Sequence, residues 1–299
     1  MVFSKDQIIQ FITDLIIEPR KKAATWSRIT KQTASLRIGY PGQHLASLVT
    51  GVEGEKTGAR GNDLADGSEV KSCSRVDQLD KCKDCDMPVL RQEQKCGLCG
   101  SENLDRRNDS KWLFTIRNKD DLNTLLNDPH VNRIILIIDD YPNFGQGDYS
   151  DIRIRVFEIW PKKIRHTRFG QIMTNYYHKI YLIHKKLNQD KTPAPKNFWP
   201  DQYQFYLCNP IQTFSAKIKD AYGENPKLDI LKWIEPHVDR DTINSVIMPS
   251  LILKKVEFEI LLKNAKRTEL CKNLVKDVSF DDFKKAMSQN WSAPLEVLI

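Results

Sequence analysis

The segment GNDLADGSEVKSCS (61–74) brings ionisable side chains of complementary type into a short stretch. Side chains of an extended strand alternate between its faces, so Glu69 and Lys71 should share one face. Asp63 precedes them by a turn predicted at Asp66-Gly67, and it can fold back beside Glu69. Two adjacent carboxylates suit Mg²⁺, and a neighbouring ammonium can stabilise the charge that develops on a phosphate. The segment therefore predicts a site for metal-dependent phosphoryl chemistry.

The same residues also fit an ordinary turn and a solvated Glu-Lys pair on an edge strand, so the surrounding elements decide between the two interpretations. Apolar spacing predicts a helix over 4–18, with a Ser4/Gln7 capping box and an end at Pro19. A second helix is predicted over 42–50, and a glycine-rich connection follows it. The segment 61–74 is thus preceded by helices that could pack against it.

After the segment, strand and helix patterns alternate. Strands are predicted over 111–116, 133–141 and 151–160, the last with one polar face, and a helix over 119–129. This order predicts an α/β (α+β) core with a mixed central sheet. The proline-containing stretch 189–200 is the predicted linker, and a largely helical region is predicted beyond it.

The run from Pro41 to Lys71 resembles the MutH-like branch of the PD-(D/E)xK endonucleases. In that branch a helix containing Gly-Gln is followed by Asp and then by G-x-E-x-K, here Gly42-Gln43, Asp63 and Gly67 to Lys71. The whole chain resembles type II restriction endonucleases of the MamI kind. The resemblance implies Mg²⁺-dependent hydrolysis of double-stranded DNA, with Asp63 and Glu69 as metal ligands and Lys71 beside the scissile phosphate.

One position departs from that pattern. Where the branch has a further glutamate three residues after the glutamine, this sequence has Ala46. The missing carboxylate could come from Glu53 or Glu55 in the following loop, or the site could work without it. Glu53 is the preferred candidate, because Glu55 lies beside Lys56 and could simply be solvated.

Four of the seven cysteines form two C-x2-C pairs, Cys82/Cys85 and Cys96/Cys99, separated by ten residues. Four thiolates at this spacing predict a tetrahedral structural Zn²⁺ site with no open position. Metal binding would let the insertion over 78–107 fold without a large core of its own. The insertion could brace the active-site edge, or its lysines and arginines could contact DNA.

A basic stretch without any acidic residue covers 161–186. Clustered lysines and arginines neutralise phosphates, and amide side chains reach base edges or backbone. The predicted DNA contacts are Lys162, Lys163, Arg165, Arg168, Gln171 and Asn175. The alternative is an amphipathic helix whose apolar residues face the core and whose lysines form a solvated face. Both interpretations can hold together.

The overall composition agrees with a polyanionic partner. Lysine and arginine number 46 against 39 acidic residues, a net charge of +7. No apolar run approaches membrane-spanning length, and Lys5 and Asp6 interrupt the stretch where a signal peptide would be apolar. We therefore expect no membrane association and a cytoplasmic location in a prokaryotic cell, where cysteines stay reduced.

These patterns predict a catalytic core over 1–188, interrupted by the zinc insertion over 78–107, and a helical region over 201–299 for recognition or dimerisation. The predicted function is sequence-specific cleavage of double-stranded DNA, and cleavage of a symmetric site favours a homodimer. A repair-type nicking nuclease, a non-catalytic zinc-ribbon DNA-binding protein and an inactive scaffold remain alternatives. DNA cleavage and DNA binding assays separate them.

Overall fold

The structure is a computed structural model. It describes residues 3–30, 32, 34, 36–55, 62–77, 79–91, 93–106, 112, 114, 116, 118–144, 146–161, 167, 169–171, 173–174, 177–187, 210–240, 255–256, 259 and 279–281. In chain order the elements are α1 (Lys5–Ile12), a π-helical segment (Thr13–Ile17), α2 (Glu18–Thr30), α3 (Gly39–Thr50), β1 (Ser68–Ser74), β2 (Asp80–Cys82), β3 (Pro88–Val89), β4 (Leu104–Asp105), α4 (Lys119–Asn127), β5 (Arg133–Asp140), β6 (Ile152–Ile159), a second π-helical segment (Tyr177–Tyr181), α5 (Leu182–Leu187), β7 (Ile211–Lys219) and β8 (Lys227–Trp233).

The central sheet has the strand order β1-β5-β6-β7-β8. β1 pairs with β5 in parallel, and the other pairs are antiparallel. The predicted mixed α/β architecture is therefore confirmed. β1 is an edge strand, so one row of its backbone groups is available to partners other than a strand.

Helices α1 and α3 cover one face of this sheet. Ile8 and Ile12 from α1 and Leu45 from α3 are fully or almost fully buried and pack in one cluster with Val70 of β1 and Ile135 of β5. Val70 of β1 therefore faces the core. Glu69 and Lys71 must consequently point to the opposite face of β1.

The N-terminal helix does not end at Pro19, contrary to the sequence prediction. The π-helical segment Thr13–Ile17 precedes it, with the Glu18 N–H donating to the Thr13 carbonyl, and helix continues to Thr30. Proline in a regular helix clashes with the carbonyl four residues earlier, and the wider π turn provides the space. The helix therefore continues past the proline without a break.

Strand β6 is buried along almost its whole length, so its more polar face is not exposed to solvent. Its charged residues are paired inside the protein: Arg155 contacts Asp140, and Glu158 contacts Arg133. Side-chain alternation alone does not distinguish a solvated polar residue from a buried paired one.

The expectation of a helical region over 201–299 is wrong for its first part. Residues 211–219 and 227–233 are β7 and β8, which complete the central sheet as an antiparallel hairpin. Trp233 at the end of β8 donates its indole N–H to the Val49 carbonyl of α3 at 3.2 Å. The core therefore extends beyond residue 188, the boundary that the sequence suggested. Beyond Arg240, the described residues 255–256, 259 and 280–281 are helical.

Between β1 and α4, the short strands β2, β3 and β4 form a separate three-stranded sheet in the order β3-β2-β4. Its small apolar cluster contains Cys82, Val89 and Cys96. We call residues 79–106 the cysteine module. In the described part of the chain, no helix has the length and apolar character needed to cross a membrane.

Candidate active site

Asp63 is attached to the free edge of β1 by its backbone and its side chain. Its N–H donates to the Ser68 carbonyl at 3.1 Å, and its Oδ2 accepts the Val70 N–H at 2.7 Å. These two groups flank Glu69 on the outer edge of the strand. Asp63 is thus held beside Glu69, as the sequence predicted, and it bonds to backbone groups of β1 that a further strand would otherwise use.

Glu69 and Lys71 form an ion pair on the same face of β1, and each side chain is about one-quarter exposed. Burial raises the pKa of Glu69, Lys71 acts in the opposite direction, and the charge of Asp63 raises it further. The Lys71 ammonium lies 6.0 Å from the centre of the Phe114 ring. The structure therefore brings Asp63, Glu69 and Lys71 together at one half-buried edge.

Gln43 on α3 reaches the same carboxylate, since its side-chain amide donates to Oδ1 of Asp63. The preceding residue makes this reach possible. A Cβ on Gly42 would lie 1.8 Å from Ser72 Oγ, so only glycine lets α3 approach β1 this closely. Both carboxylate oxygens of Asp63 are consequently hydrogen-bonded.

The turn before β1 packs against the segment that precedes β5. Gly67 has φ +86°, and a Cβ there would meet the His130 carbonyl at 2.1 Å. Asp66 accepts from the Ser68 N–H at 3.0 Å and pairs with the buried Arg133 at 2.9 Å. Asp66 therefore belongs to the turn, as predicted, and also anchors a buried guanidinium.

The loop glutamate that lies nearest to Asp63 is not Glu53, the candidate that the sequence favoured. Gly54 and Leu64 form an antiparallel bridge. On either side of it, the Glu55 N–H donates to the Asp63 carbonyl at 3.0 Å, and the Ala65 N–H donates to the Glu53 carbonyl at 2.9 Å. This register places Glu55 across from Asp63 and Glu53 across from Ala65. Both glutamates are exposed. The register therefore favours Glu55 over Glu53 as the neighbour of Asp63.

The four paired cysteines converge on one point. The sulfur atoms of Cys82, Cys85, Cys96 and Cys99 all lie within 4.8 Å of one another. Cys82 and Cys99 are 3.6 Å apart, and Cys85 and Cys96 are 3.5 Å apart. A tetrahedron with Zn–S bonds of about 2.3 Å has edges of about 3.8 Å. Backbone N–H groups of Cys99 and Leu98 lower the pKa of Cys96 to about 7.

The cysteine module contacts the core through a buried arginine. Arg91 is almost fully buried, pairs with Asp80 at 3.1 Å, and lies 5.3 to 5.9 Å from three ring centres. Those rings belong to Tyr141, Phe144 and Tyr149, which follow β5. Arg91 therefore holds the module on the core, and it is not available for the DNA contact that the sequence left open.

Other basic residues of the module are also paired. Arg106 bonds to Asp80 at 2.6 Å, Lys81 to Asp86 at 2.7 Å and Lys95 to Glu102 at 2.9 Å. The pairs of Lys81 and Lys95 are exposed and add little stability, so they do not decide between the bracing role and the DNA-contact role.

The basic stretch is described in part. Phe169, Met173, Tyr177 and Tyr181 are buried at intervals of four residues, and Phe169 packs on Phe114 with ring centres 5.8 Å apart. Gln171, a predicted DNA contact, is exposed. The other predicted contacts, Lys162, Lys163, Arg165, Arg168 and Asn175, lie outside the described residues. One side of this stretch thus packs on the core near Lys71.

Two contacts of the site join residues that are far apart in the sequence. Gln43 lies 20 residues from Asp63, and Phe114 lies 43 residues from Lys71. The Gly42-Gln43 pair appears in the family pattern, but its contact with Asp63 depends on how α3 crosses β1. A glycine that precedes a polar residue on a buried helix is the signal that could have indicated such a contact.

Comparison with known proteins identifies the family of the chain. The family model for the MamI restriction endonuclease matches residues 25–251. The type II restriction enzyme MamI of Microbacterium ammoniaphilum is 43% identical over 56 residues, which cover 19% of this chain and 18% of that enzyme. No solved structure matches the chain. Because the family model covers most of the sequence, the chain belongs to the MamI restriction endonuclease family.

Proposed function

We propose that this protein is a Mg²⁺-dependent, sequence-specific endonuclease with a PD-(D/E)xK active site, and that it hydrolyses phosphodiester bonds of double-stranded DNA. One observation carries the proposal. Asp63, Glu69 and Lys71 meet at the free edge of β1, where no strand or described helix covers them fully. Membership of the MamI family supports a nuclease, and this arrangement supports the class of chemistry.

The residues present fit a divalent cation. Burial is the main reason that the pKa of Glu69 is raised, and the nearby negative charge of Asp63 raises it further. A hard cation between them would relieve this repulsion, and Mg²⁺ accepts one or two carboxylates and keeps several waters. Asp63 and Glu69 are the proposed ligands. When bound, Mg²⁺ would polarise the phosphate and lower the pKa of a coordinated water.

Lys71 is proposed to act on the phosphate through its ammonium group. It lies beside Glu69 on the strand face that also contacts Phe114, so part of its environment is apolar. A positive charge in such an environment interacts with developing negative charge more strongly than in water. Its N–H donors would orient the phosphate and stabilise the transition state.

The cysteine module is proposed to hold one structural Zn²⁺ through Cys82, Cys85, Cys96 and Cys99. Four sulfurs at nearly tetrahedral separations leave no open position, which is typical of structural sites. The small cluster around Val89 is too limited to stabilise the module alone, so metal binding would supply folding free energy.

Double-stranded DNA is the proposed partner, bound in part by the basic stretch over 161–186. We further propose a homodimer, because cutting both strands of a symmetric site takes two active sites related by a twofold axis. The proposed location is the cytoplasm of a prokaryotic cell. The additional carboxylate is proposed to be Glu55, with Glu53 as the alternative.

To test the proposal, the purified protein is incubated with supercoiled plasmid in a buffer containing Mg²⁺. A parallel reaction contains a chelator in place of Mg²⁺. Discrete linear fragments that appear only with Mg²⁺ support a restriction endonuclease. Accumulation of open circles indicates a nicking nuclease. A gel shift without cleavage indicates a non-catalytic DNA-binding protein, and neither binding nor cleavage indicates an inactive scaffold. Sedimentation of the free and DNA-bound protein tests the dimer.

A further inference from the structure

Gln43 contacts the site, but the proposed function assigns it no role. It lies on α3, outside the segment that carries these residues, yet its amide donates to Oδ1 of Asp63. The other oxygen, Oδ2, accepts the Val70 N–H at 2.7 Å. The carboxylate is therefore held between two donors from different elements, a helix and a strand, and its plane is fixed.

The neighbouring glycine shows that this contact depends on a close approach. A Cβ on Gly42 would overlap Ser72, at 1.8 Å from Oγ and 2.8 Å from Cβ. α3 thus lies directly against β1 at Gly42, and the next residue reaches over the strand edge to Asp63. Gly42 permits the short separation between α3 and β1, and this separation lets the Gln43 side chain reach Asp63.

The consequence for a metal site follows from coordination geometry. Each carboxylate oxygen has two lone-pair directions, so one donor per oxygen leaves the other direction free for a cation. Mg²⁺ requires nearly ideal octahedral geometry, and donors behind a ligand control its orientation. A ligand free to rotate would bind the ion less tightly without changing the rest of the protein.

We infer that Gln43 is a positioning residue that orients the Asp63 carboxylate for a divalent cation. The inference rests on the proposed function, because it assumes that Asp63 is a metal ligand. It assigns to the helix a neutral hydrogen-bond donor at the edge of the site. The helix then contributes orientation to the site and no charge, in agreement with the uncharged Ala46 buried one turn later.

The test measures Mn²⁺ binding to the zinc-loaded, DNA-free protein by electron paramagnetic resonance, with Asp63→Ala as the background. Gln43→Met keeps a similar side-chain volume and removes the donor. It should weaken Mn²⁺ binding by about 10- to 100-fold while leaving the thermal unfolding midpoint and the DNA affinity without metal unchanged. His44→Ala, at an exposed position on the same helix, should bind Mn²⁺ like the wild type.

Two further outcomes separate the inference from the proposed function. Wild-type Mn²⁺ binding with no loss in Gln43→Met would overturn the role of Gln43 alone. A wild type that binds no more Mn²⁺ than Asp63→Ala would overturn the metal site itself, and the role with it. Gln43→Glu should also bind weakly, because it cannot donate to Asp63. Binding tighter than the wild type would mean that residue 43 faces the ion directly and does not act through Asp63.

Discussion

Lys71 and the two carboxylates occupy an edge where charge is partly removed from water. Glu69 is half-buried and its pKa is raised, first by burial, so it gains from a cation nearby. Without metal, Lys71 supplies that charge directly. With a metal ion bound, the ammonium would be released toward a phosphate.

Asp63→Ala, Glu69→Ala and Lys71→Ala should each reduce the cleavage rate by at least about 1000-fold, which corresponds to roughly 4 kcal/mol of transition-state stabilisation. Much of the DNA affinity should remain, because it comes from many phosphate contacts. Single-turnover cleavage and gel shifts measure the two quantities. Asp66→Asn is the matched control and should keep cleavage, since Asp66 lies in the turn and Arg133 retains its second carboxylate partner, Glu158. A Lys71→Ala variant that cuts at the wild-type rate would contradict the site.

The loop carboxylates provide a paired comparison. Glu55→Gln should lower the cleavage rate more than Glu53→Gln, because Glu55 lies across from Asp63 in the antiparallel bridge. Each change removes one charge from an exposed glutamate of the same loop. Cleavage rates over a Mg²⁺ titration measure the difference. Equal rates for both variants and the wild type would mean that the site uses only two carboxylates.

At the scale of elements, β1 depends on neighbours at three points. Gly67 at its start packs against the His130 carbonyl, Gly42 of α3 packs against Ser72, and the cysteine module begins soon after its end. Arg91 holds that module on the aromatic residues after β5. We therefore expect movement of the module to affect the end of β1.

Removal of zinc should show this dependence. Cys96→Ser should lose bound zinc, lower the thermal unfolding midpoint and reduce cleavage indirectly, because one of four ligands is lost. Zinc content by elemental analysis and unfolding by circular dichroism measure the first two effects. Cys73→Ser is the control and should retain zinc, since Cys73 lies in β1 outside the cluster. A Cys96→Ser protein with unchanged stability would rule out a structural role for the site.

At the scale of the whole molecule, buried ion pairs join the end of β5 to the neighbouring strand β6 and to helix α2. Asp140 contacts Arg153 at 2.8 Å and Arg155 at 2.6 Å, and Asp139 contacts Arg20 of α2 at 2.6 Å. Breaking one partner of such a pair costs about 3 to 5 kcal/mol, because the remaining charge stays buried. These pairs make the stability of the fold dependent on pH.

Asp140→Asn should destabilise the protein by about 3 kcal/mol near pH 7. Burial would raise the pKa of Asp140, but Arg153 and Arg155 outweigh burial and lower it to about 2. An unfolded aspartate titrates near about 3.9, so the stabilisation is complete above that pH and is lost as the pH falls toward 2. Urea unfolding at several pH values should show the two proteins converging. The exposed Asp6→Asn should change little, and a constant difference at all pH values would contradict the linkage.

DNA affinity should fall steeply with salt. Arg165→Gln or Arg168→Gln should lower the affinity and reduce the slope of log affinity against log salt by about 1 each. Fluorescence anisotropy at several salt concentrations measures the slope. Arg28→Gln, at an exposed position on α2, is the control for the loss of one charge. An unchanged slope in the Arg165 and Arg168 variants would place these residues on a solvated face.

Local patterns predicted much of the fold. The strands β1, β5 and β6 and the helices α3 and α4 have strong apolar patterns, capping residues or turns close in sequence. The hairpin of β7 and β8 was not predicted, although Phe214, Ala216 and Ile218 alternate with polar residues in β7, a pattern typical of a strand. Pro19 predicted a helix end that the adjacent π turn prevents. The π turn changes the backbone before Pro19 in a way that the residue types alone do not indicate.

The sequence alone determined which chemistry is present: a D…G-x-E-x-K segment, two cysteine pairs and a basic stretch. These features depend on residue type and near spacing, which the chain specifies directly. Only the tertiary structure decided that Gln43 holds Asp63, that Glu55 lies across from it, and that Arg91 anchors the cysteine module. Each of these contacts joins residues from different elements, so it depends on how helix and strand pack, which residue spacing does not encode.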